Sequence, residues 1–145
     1  MKPVLLATLA LALFALGCSG KVNKSGEIEV ADDDGAFKVA LLTPGSISDS
    51  GWNAMAFEGL MAIKSDLGAE VANKEATDAQ IRDAMRSYAQ KDFDLVLGHG
   101  YEYNAPGLEV AKDFPSTVFV SSSGDQVGDN AGTFRPLDDR TEPVP

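Results

Sequence analysis

The chain has 145 residues, of which 22 are acidic and 12 are basic, so its formal charge is −10. An acidic chain without a basic stripe is repelled by nucleic acid and by anionic lipid headgroups, and nucleic acid is therefore excluded as a partner. Once the N-terminal segment is set aside, the length and the apolar content fit one globular domain.

The N-terminal segment has the features of a bacterial secretion signal. Lys2 is followed by an apolar run over residues 4–16, interrupted only by Thr8. This run is shorter than the roughly 20 residues that a membrane-spanning helix needs, and it predicts a cleavable signal peptide at residues 1–17.

The residue after that signal is Cys18, which is the only cysteine in the chain. Residues 14–18, with the sequence Phe-Ala-Leu-Gly-Cys, resemble the lipobox of bacterial lipoproteins, in which the cysteine is acylated and becomes the new N-terminus. The resemblance implies that Cys18 anchors the protein to a membrane of the cell envelope, facing the periplasm or the exterior. The alternative is an ordinary secreted protein with an unpaired cysteine.

Composition divides the rest of the chain into three parts. Residues 18–36 are polar and end in an acidic run, which predicts a flexible tether. Residues 37–135 carry the apolar patterns of a folded lobe. Residues 136–145 contain three prolines and show no periodicity, so we expect an irregular tail.

Strands and helices alternate within residues 37–135. The apolar stripe from Trp52 to Leu67 predicts a helix that ends at a left-handed Gly68. Residues 77–80 have the pattern of a capping box, and Pro106 suits the first turn of a helix that runs to about Phe114. Short apolar runs predict strands at residues 38–42, 70–72, 94–98 and 117–120. Long crossovers between strands favour a parallel sheet, and the predicted fold is a three-layer α/β/α sandwich.

Ligands of such sheets bind beyond the carboxyl ends of the strands. The loops at those ends span residues 43–51, 98–104 and 121–124. These loops and the start of the helix after the first of them hold polar and aromatic side chains that suit a small molecule with an aromatic or sugar ring: Asp49, Trp52, Asn53, Tyr101, Glu102, Tyr103 and Asn104.

Some of these side chains have a structural alternative. Trp52 also begins the apolar helical stripe and could belong to the core. Tyr101 and Tyr103 alternate along the loop, so at most one of them is expected to face the site. His99 is the only histidine and has no second metal ligand beside it, which argues against a metal site. No motif predicts a cofactor, because the Gly98-His99-Gly100 sequence lacks the third glycine of a dinucleotide fingerprint.

Three segments together resemble the basic membrane protein (BMP) family, namely residues 38–60, 94–103 and 114–120. Members of this family are substrate-binding lipoproteins of ABC importers, with a fold similar to type I periplasmic binding proteins, and the best-understood relatives bind purine nucleosides. The resemblance implies that Trp52 stacks on the base, that Asn53 lies in the pocket, and that Asp49 holds the loop. Thr43, Gly100, Tyr101 and Ser122, at the same strand ends, complete the predicted ligand-binding set.

Two departures leave another small polar solute open as the ligand. This chain has Thr43-Pro44 where many nucleoside-binding relatives have Thr-Asp, and serines at residues 121–123 where they tend to have an aspartate. Family members have two lobes with the ligand between them, and the resemblance covers the first lobe only. A single lobe is expected to bind the ligand weakly and to expose apolar surface. A full-length form would have an ABC permease as its partner.

Two other functions remain open. One is a surface lipoprotein that acts as a sensor or an adhesin. The other is a small α/β enzyme, for which His99 and Glu102 are the only candidate pair; a catalytic set is otherwise not evident, and we expect no enzymatic activity.

Overall fold

A computed structural model describes residues 35–134, together with the backbone of residues 21–22 and 28–29. The latter form a short antiparallel ribbon of β1 (Lys21–Val22) and β2 (Ile28–Glu29) within the segment predicted to be a tether. The predicted signal peptide, Cys18 and the tail at residues 136–145 lie outside the described residues, and no helix among the described ones is long and apolar enough to cross a membrane.

The folded lobe is built on a parallel sheet of five strands. Its strands lie in the order β4-β3-β5-β6-β7, and every neighbouring pair is parallel. In chain order the elements are β3 (Lys38–Thr43), α1 (Trp52–Leu67), β4 (Glu70–Glu75), α2 (Gln80–Ala89), β5 (Leu95–Gly98), a 3-10 helix (Tyr101–Tyr103), α3 (Asn104–Ala111), β6 (Val118–Ser121) and β7 (Ala131–Thr133). The predicted α/β fold with a parallel sheet is confirmed.

Alternating residues of β3 face opposite sides of the sheet and create two cores. Val39 and Leu41 pack on the α1 side together with Leu60. Ala40 and Leu42 face the cluster formed by α2 and α3. Helices on both faces are what right-handed crossovers require, because β4 and β5 lie on opposite sides of β3. The order of strands therefore reverses at β3, which places a crevice between β3 and β5.

Helix α1 ends as its sequence predicts. Gly68 adopts the left-handed conformation with φ 66°, and its N–H donates to the Lys64 carbonyl at 3.1 Å. Leu60 of the predicted stripe is buried, but Met55 and Leu67 are 63% and 73% exposed. The sheet thus covers only the middle of the stripe.

Two predictions about the other helices were wrong in detail. No side chain caps α2. Asp78 has φ 46°, and Thr77 accepts a hydrogen bond from the Gln80 N–H at 2.9 Å through its carbonyl oxygen rather than through its hydroxyl. Helix α3 begins at Asn104, so Pro106 does lie in its first turn. It ends at Ala111 rather than near Phe114, and the chain continues there in tight turns.

The sequence did not predict strand β7. Its position is fixed by the side chain of Asn130, the residue immediately before it. The Asn130 Nδ2 lies 3.1, 2.9 and 2.8 Å from the carbonyl oxygens of Ala111, Phe114 and Thr117. These contacts fix the end of α3 and the start of β6 relative to β7, so the fifth strand depends on tertiary contacts rather than on its own residues.

The sheet face that carries α1 is partly uncovered. Among the described residues α1 is the only helix on that face, and Val118 and Phe134 are 44% and 50% exposed. This matches the expectation of exposed apolar surface, and it leaves an apolar groove beside α1.

Candidate ligand-binding site

The loop between β3 and α1 is organised by one carboxylate. Asp49 Oδ1 accepts hydrogen bonds from the N–H groups of Gly51 and Ala54 at 2.9 and 3.1 Å, and Oδ2 accepts from the Asn53 N–H at 3.1 Å. These donors are unpaired N–H groups at the start of α1, where a negative charge is favourable. The hydrogen bond from Gly51 is the main reason why the pKa of Asp49 lies below its ordinary value.

Asn53 is hydrogen-bonded to Asp49, and one buried polar atom of its side chain has no hydrogen-bond partner. Its Nδ2 donates to Asp49 Oδ2 at 2.9 Å, and since a carboxylate only accepts, the amide orientation is fixed. Asn53 Oδ1 then has no hydrogen-bond partner, although the residue is only 9% exposed. Buried acceptors in native proteins nearly always have a donor, so this atom is an exception.

Trp52 lies beside Asn53 at the carboxyl end of the sheet and is 48% exposed. Its indole stacks on the imidazole of His99, with a distance of 3.7 Å between ring centroids and an angle of 32° between planes. His99 Nε2 also lies 3.0 Å from the Trp52 carbonyl oxygen. The core alternative for Trp52 is therefore wrong, because an exposed indole at the edge of the sheet is not part of the interior.

Burial lowers the pKa of His99 below its ordinary value, although the hydrogen bond to the Trp52 carbonyl and the charges of Glu102 and Asp49 act in the opposite direction. The imidazole is therefore neutral at pH 7. Because a carbonyl oxygen only accepts, the neutral ring must carry its proton on Nε2.

The Trp52–His99 pair forms one end of a groove of about 550 Å³. The same end contains Ser122, whose N–H donates to the Gly98 carbonyl at 2.9 Å and fixes the loop after β6. Phe134 lies at this end as well, because its N–H donates to the Ser121 carbonyl at 3.0 Å. The rest of the groove is apolar and follows α1, where it is lined by Leu41, Met55, Ala56, Gly59, Leu60, Ile63 and Leu97. A polar and aromatic end joined to an apolar trough suits a small organic ligand at the edge of the sheet.

Residues 36–135 match the family described as ABC transporter substrate-binding protein PnrA-like. The chain belongs to this family. It is 30% identical to the transcriptional activator protein Med of Bacillus subtilis, in a match that covers 87% of this chain and 38% of that protein. It is 26% identical to basic membrane protein A of Borreliella burgdorferi, in a match that covers 83% of this chain and 33% of that protein. An ABC transporter solute-binding protein from Conexibacter woesei has 36% identity and a TM-score of 0.61, over 68% of this chain and 35% of that one. The chain thus spans about a third of the length of these relatives.

Within this substrate-binding fold, the predicted site residues separate into two groups. Trp52, Asn53 and Asp49 lie together at the start of α1, but of these three only Trp52 lines the groove, which Ser122 also lines. Tyr101 is 76% exposed on the 3-10 helix and is not part of the groove lining.

Other residues of the strand-end loops are used by the protein itself. Thr43 is fully buried, and its hydroxyl donates to the Gly45 carbonyl at 2.8 Å. Tyr103 is buried with its hydroxyl donating to the Ala76 carbonyl at 2.6 Å, so of these two tyrosines only Tyr101 is exposed. The Asn104 amide donates to and accepts from the backbone of Gln126, at 3.0 Å in both cases.

The glycines that flank His99 lie against other side chains of the protein. A Cβ at Gly98 would overlap the Cβ and Cγ of Tyr103, and a Cβ at Gly100 would overlap the Glu102 carboxylate. Gly100 also has φ 145°, which side chains rarely adopt. These glycines make room for the protein's own side chains rather than for a ligand.

Replacing Gly98 with alanine is therefore expected to lower the free energy of unfolding by about 3 kcal/mol, since Tyr103 is packed through its Cβ and cannot rotate away. Urea denaturation measures the change. Gly132→Ala is the matched control, because a Cβ at this second strand glycine meets no atom within 4 Å. Equal stability of the two variants would contradict the packing described for Gly98.

Sequence reasoning missed the role of the His99 side chain. The histidine was recognised as the only one in the chain, but its contact with Trp52 joins residues 47 positions apart. The sequence feature that indicates this contact is the position of His99 immediately after a buried strand, at the edge of the sheet where Trp52 is also predicted to lie.

Proposed function

We propose that this protein is a lipid-anchored, solute-binding component of an ABC importer, and that its ligand is a purine nucleoside. Cys18 would carry the lipid and hold the protein at a membrane of the cell envelope, outside the cytoplasm. The residues of this chain would form the first of two lobes, and the full-length form would deliver its ligand to a permease.

The observation that carries this proposal is the unpartnered Oδ1 of Asn53 beside the exposed indole of Trp52. A purine offers a flat ring for the indole, and both the base and the ribose offer N–H or O–H donors for the buried acceptor. An apolar molecule would leave Asn53 Oδ1 as it is in the free protein and would gain no hydrogen bond there. A flat ligand that also donates hydrogen bonds is therefore favoured.

Asp49 supports Asn53 without contacting the ligand in this proposal. Its carboxylate is already satisfied by donors from Gly51, Asn53 and Ala54. It fixes the orientation of the Asn53 amide, with Nδ2 toward the carboxylate. The role that the family resemblance implies for Asp49 thus has a direct geometric basis.

Replacing Trp52 with alanine tests the proposal. We expect inosine affinity to fall about tenfold, because stacking of a base on an aromatic side chain contributes about 1–3 kcal/mol. The measurement is a titration of the ¹⁵N-labelled protein with inosine, followed by NMR through the backbone amides of His99 and Ser122.

Leu67→Ala is the matched control for this titration, because Leu67 is an exposed apolar residue at the opposite end of the same helix. It should bind inosine as the unaltered protein does. If Trp52→Ala retains full affinity, or if the unaltered protein does not respond to inosine, nucleoside recognition at this edge is wrong.

A second candidate function is a regulatory or sensing lipoprotein, which is favoured by the 30% identity to the protein named transcriptional activator Med. Loss of the gene would then change transcript levels without changing uptake of radiolabelled inosine. Loss of uptake with unchanged transcripts supports the importer instead.

A further inference from the structure

His99 is held rigidly at the end of β5. Its backbone N–H donates to the Leu42 carbonyl at 2.8 Å, which extends the pairing between β5 and β3 by one residue. Its side chain then reaches the first residue of α1, where Nε2 donates to the Trp52 carbonyl at 3.0 Å. One residue thereby connects the crevice between β3 and β5 to the start of the helix that carries the exposed aromatic ring.

The imidazole covers one face of the indole. The ring centroids are 3.7 Å apart, which is close contact for two aromatic rings. Trp52 is nevertheless 48% exposed and lines the groove, so His99 does not enclose the side chain. The stacked pair therefore leaves part of Trp52 accessible at the edge of the sheet.

We propose that His99 is a positioning residue for Trp52, holding the indole at the edge of the sheet so that a ligand ring stacks on the face opposite the imidazole. This inference rests on the proposed function, since it assigns a role to His99 within the same site. His99 contributes in two ways, by the hydrogen bond to the Trp52 carbonyl and by support of one indole face. An indole fixed in advance loses less conformational entropy when the ligand binds.

The charges around His99 determine how its contact with Trp52 depends on pH. Glu102 and Asp49 are the charged groups that act on the imidazole, and both favour its protonated form. Burial acts against protonation and is the stronger effect, so the ring becomes charged only below its ordinary range. A protonated imidazole quenches indole fluorescence more strongly than a neutral one, and the chain contains one tryptophan and one histidine. The fluorescence of Trp52 therefore reports the state of His99 directly.

The test uses three replacements of His99 in the purified protein. His99→Phe keeps a flat ring without the donor, His99→Gln keeps a donor without the ring, and His99→Ala removes both. Val127→Ala is the control, because Val127 is an exposed apolar residue outside the groove lining. Circular dichroism establishes folding, fluorescence titration between pH 4 and pH 8 follows Trp52, and NMR titration gives the inosine affinity.

We expect Trp52 fluorescence in the unaltered protein to fall as the pH drops below about 6.5, and this fall to be absent in all three variants. Inosine affinity should be about fivefold weaker in His99→Ala and partly restored in His99→Phe and His99→Gln. If His99→Ala does not fold, the two conservative variants carry the comparison, and each should bind more weakly than Val127→Ala.

The outcomes separate this inference from the proposed function. If His99→Ala, or both conservative variants, bind inosine as tightly as the unaltered protein, the positioning role is wrong while nucleoside binding stands. If Trp52 fluorescence shows the same pH dependence without His99, the contact itself is contradicted. If no protein responds to inosine, the proposed function fails, and the positioning role fails with it.

Discussion

Replacing Cys18 with serine is expected to abolish lipid attachment. The lipid of a lipoprotein is attached to the cysteine thiol, and a serine hydroxyl does not replace it. Incorporation of radiolabelled palmitate in the expressing cells measures the effect.

The matched control for this substitution is Ser19→Ala, which changes the adjacent residue and keeps the thiol. It should be labelled like the unaltered protein. Absence of label in the unaltered protein, or equal labelling of Cys18→Ser, would show that residues 14–18 do not act as a lipobox and would favour an ordinary secreted protein.

The purified form with residues 18–145 is expected to bind nucleosides with a dissociation constant on the order of 1 mM. Binding pockets usually bury about 70–90% of a ligand's surface, whereas the groove beside Trp52 is open on one side. A ligand resting on one lobe keeps much of its surface in water, so the affinity should be at least a hundredfold below that of a closed clamp.

Isothermal titration with adenosine, guanosine and inosine tests this expectation. Met55, Val118 and Phe134 are exposed and favour self-association, so sedimentation at each concentration should accompany the titrations. A sub-micromolar isotherm with one site per chain would mean that the residues of this chain form a complete site without a second lobe.

The sequence was sufficient to predict the layers of the fold, and it indicated the edge of the sheet where we propose the site. Continuous apolar runs such as residues 38–42 are typical of strands buried on both faces, and the long crossovers between them favour parallel pairing. Because the sheet is parallel and Trp52 and Asn53 follow β3, both residues are expected at the carboxyl edge of the sheet.

The features that the sequence did not predict depend on contacts between residues that are far apart in the chain. Strand β7 has no apolar periodicity, and its place is fixed by the Asn130 amide and by pairing with β6. The Thr77 capping box failed because Asp78 adopts a left-handed conformation that only the folded chain imposes. The stacking of His99 on Trp52 is a contact of the same kind, since a strand end and a helix start meet only after the sheet has formed.

The amino edge of the sheet offers a useful comparison with the proposed site. A smaller cavity of about 240 Å³ lies there, lined among others by Asp92, Phe93, Asp113 and Phe114. It has aromatic and polar side chains of its own, so the choice between the two edges rests on Trp52 and Asn53 rather than on the presence of a cavity.

A map of NMR chemical shift changes on adding inosine to the ¹⁵N-labelled protein tests this choice most directly. Solute recognition where the parallel strands end predicts that the largest changes fall on the indole N–H of Trp52 and on the amides of Asn53, His99 and Ser122. Changes centred instead on Phe93 and Phe114, with the indole signal unmoved, would contradict it.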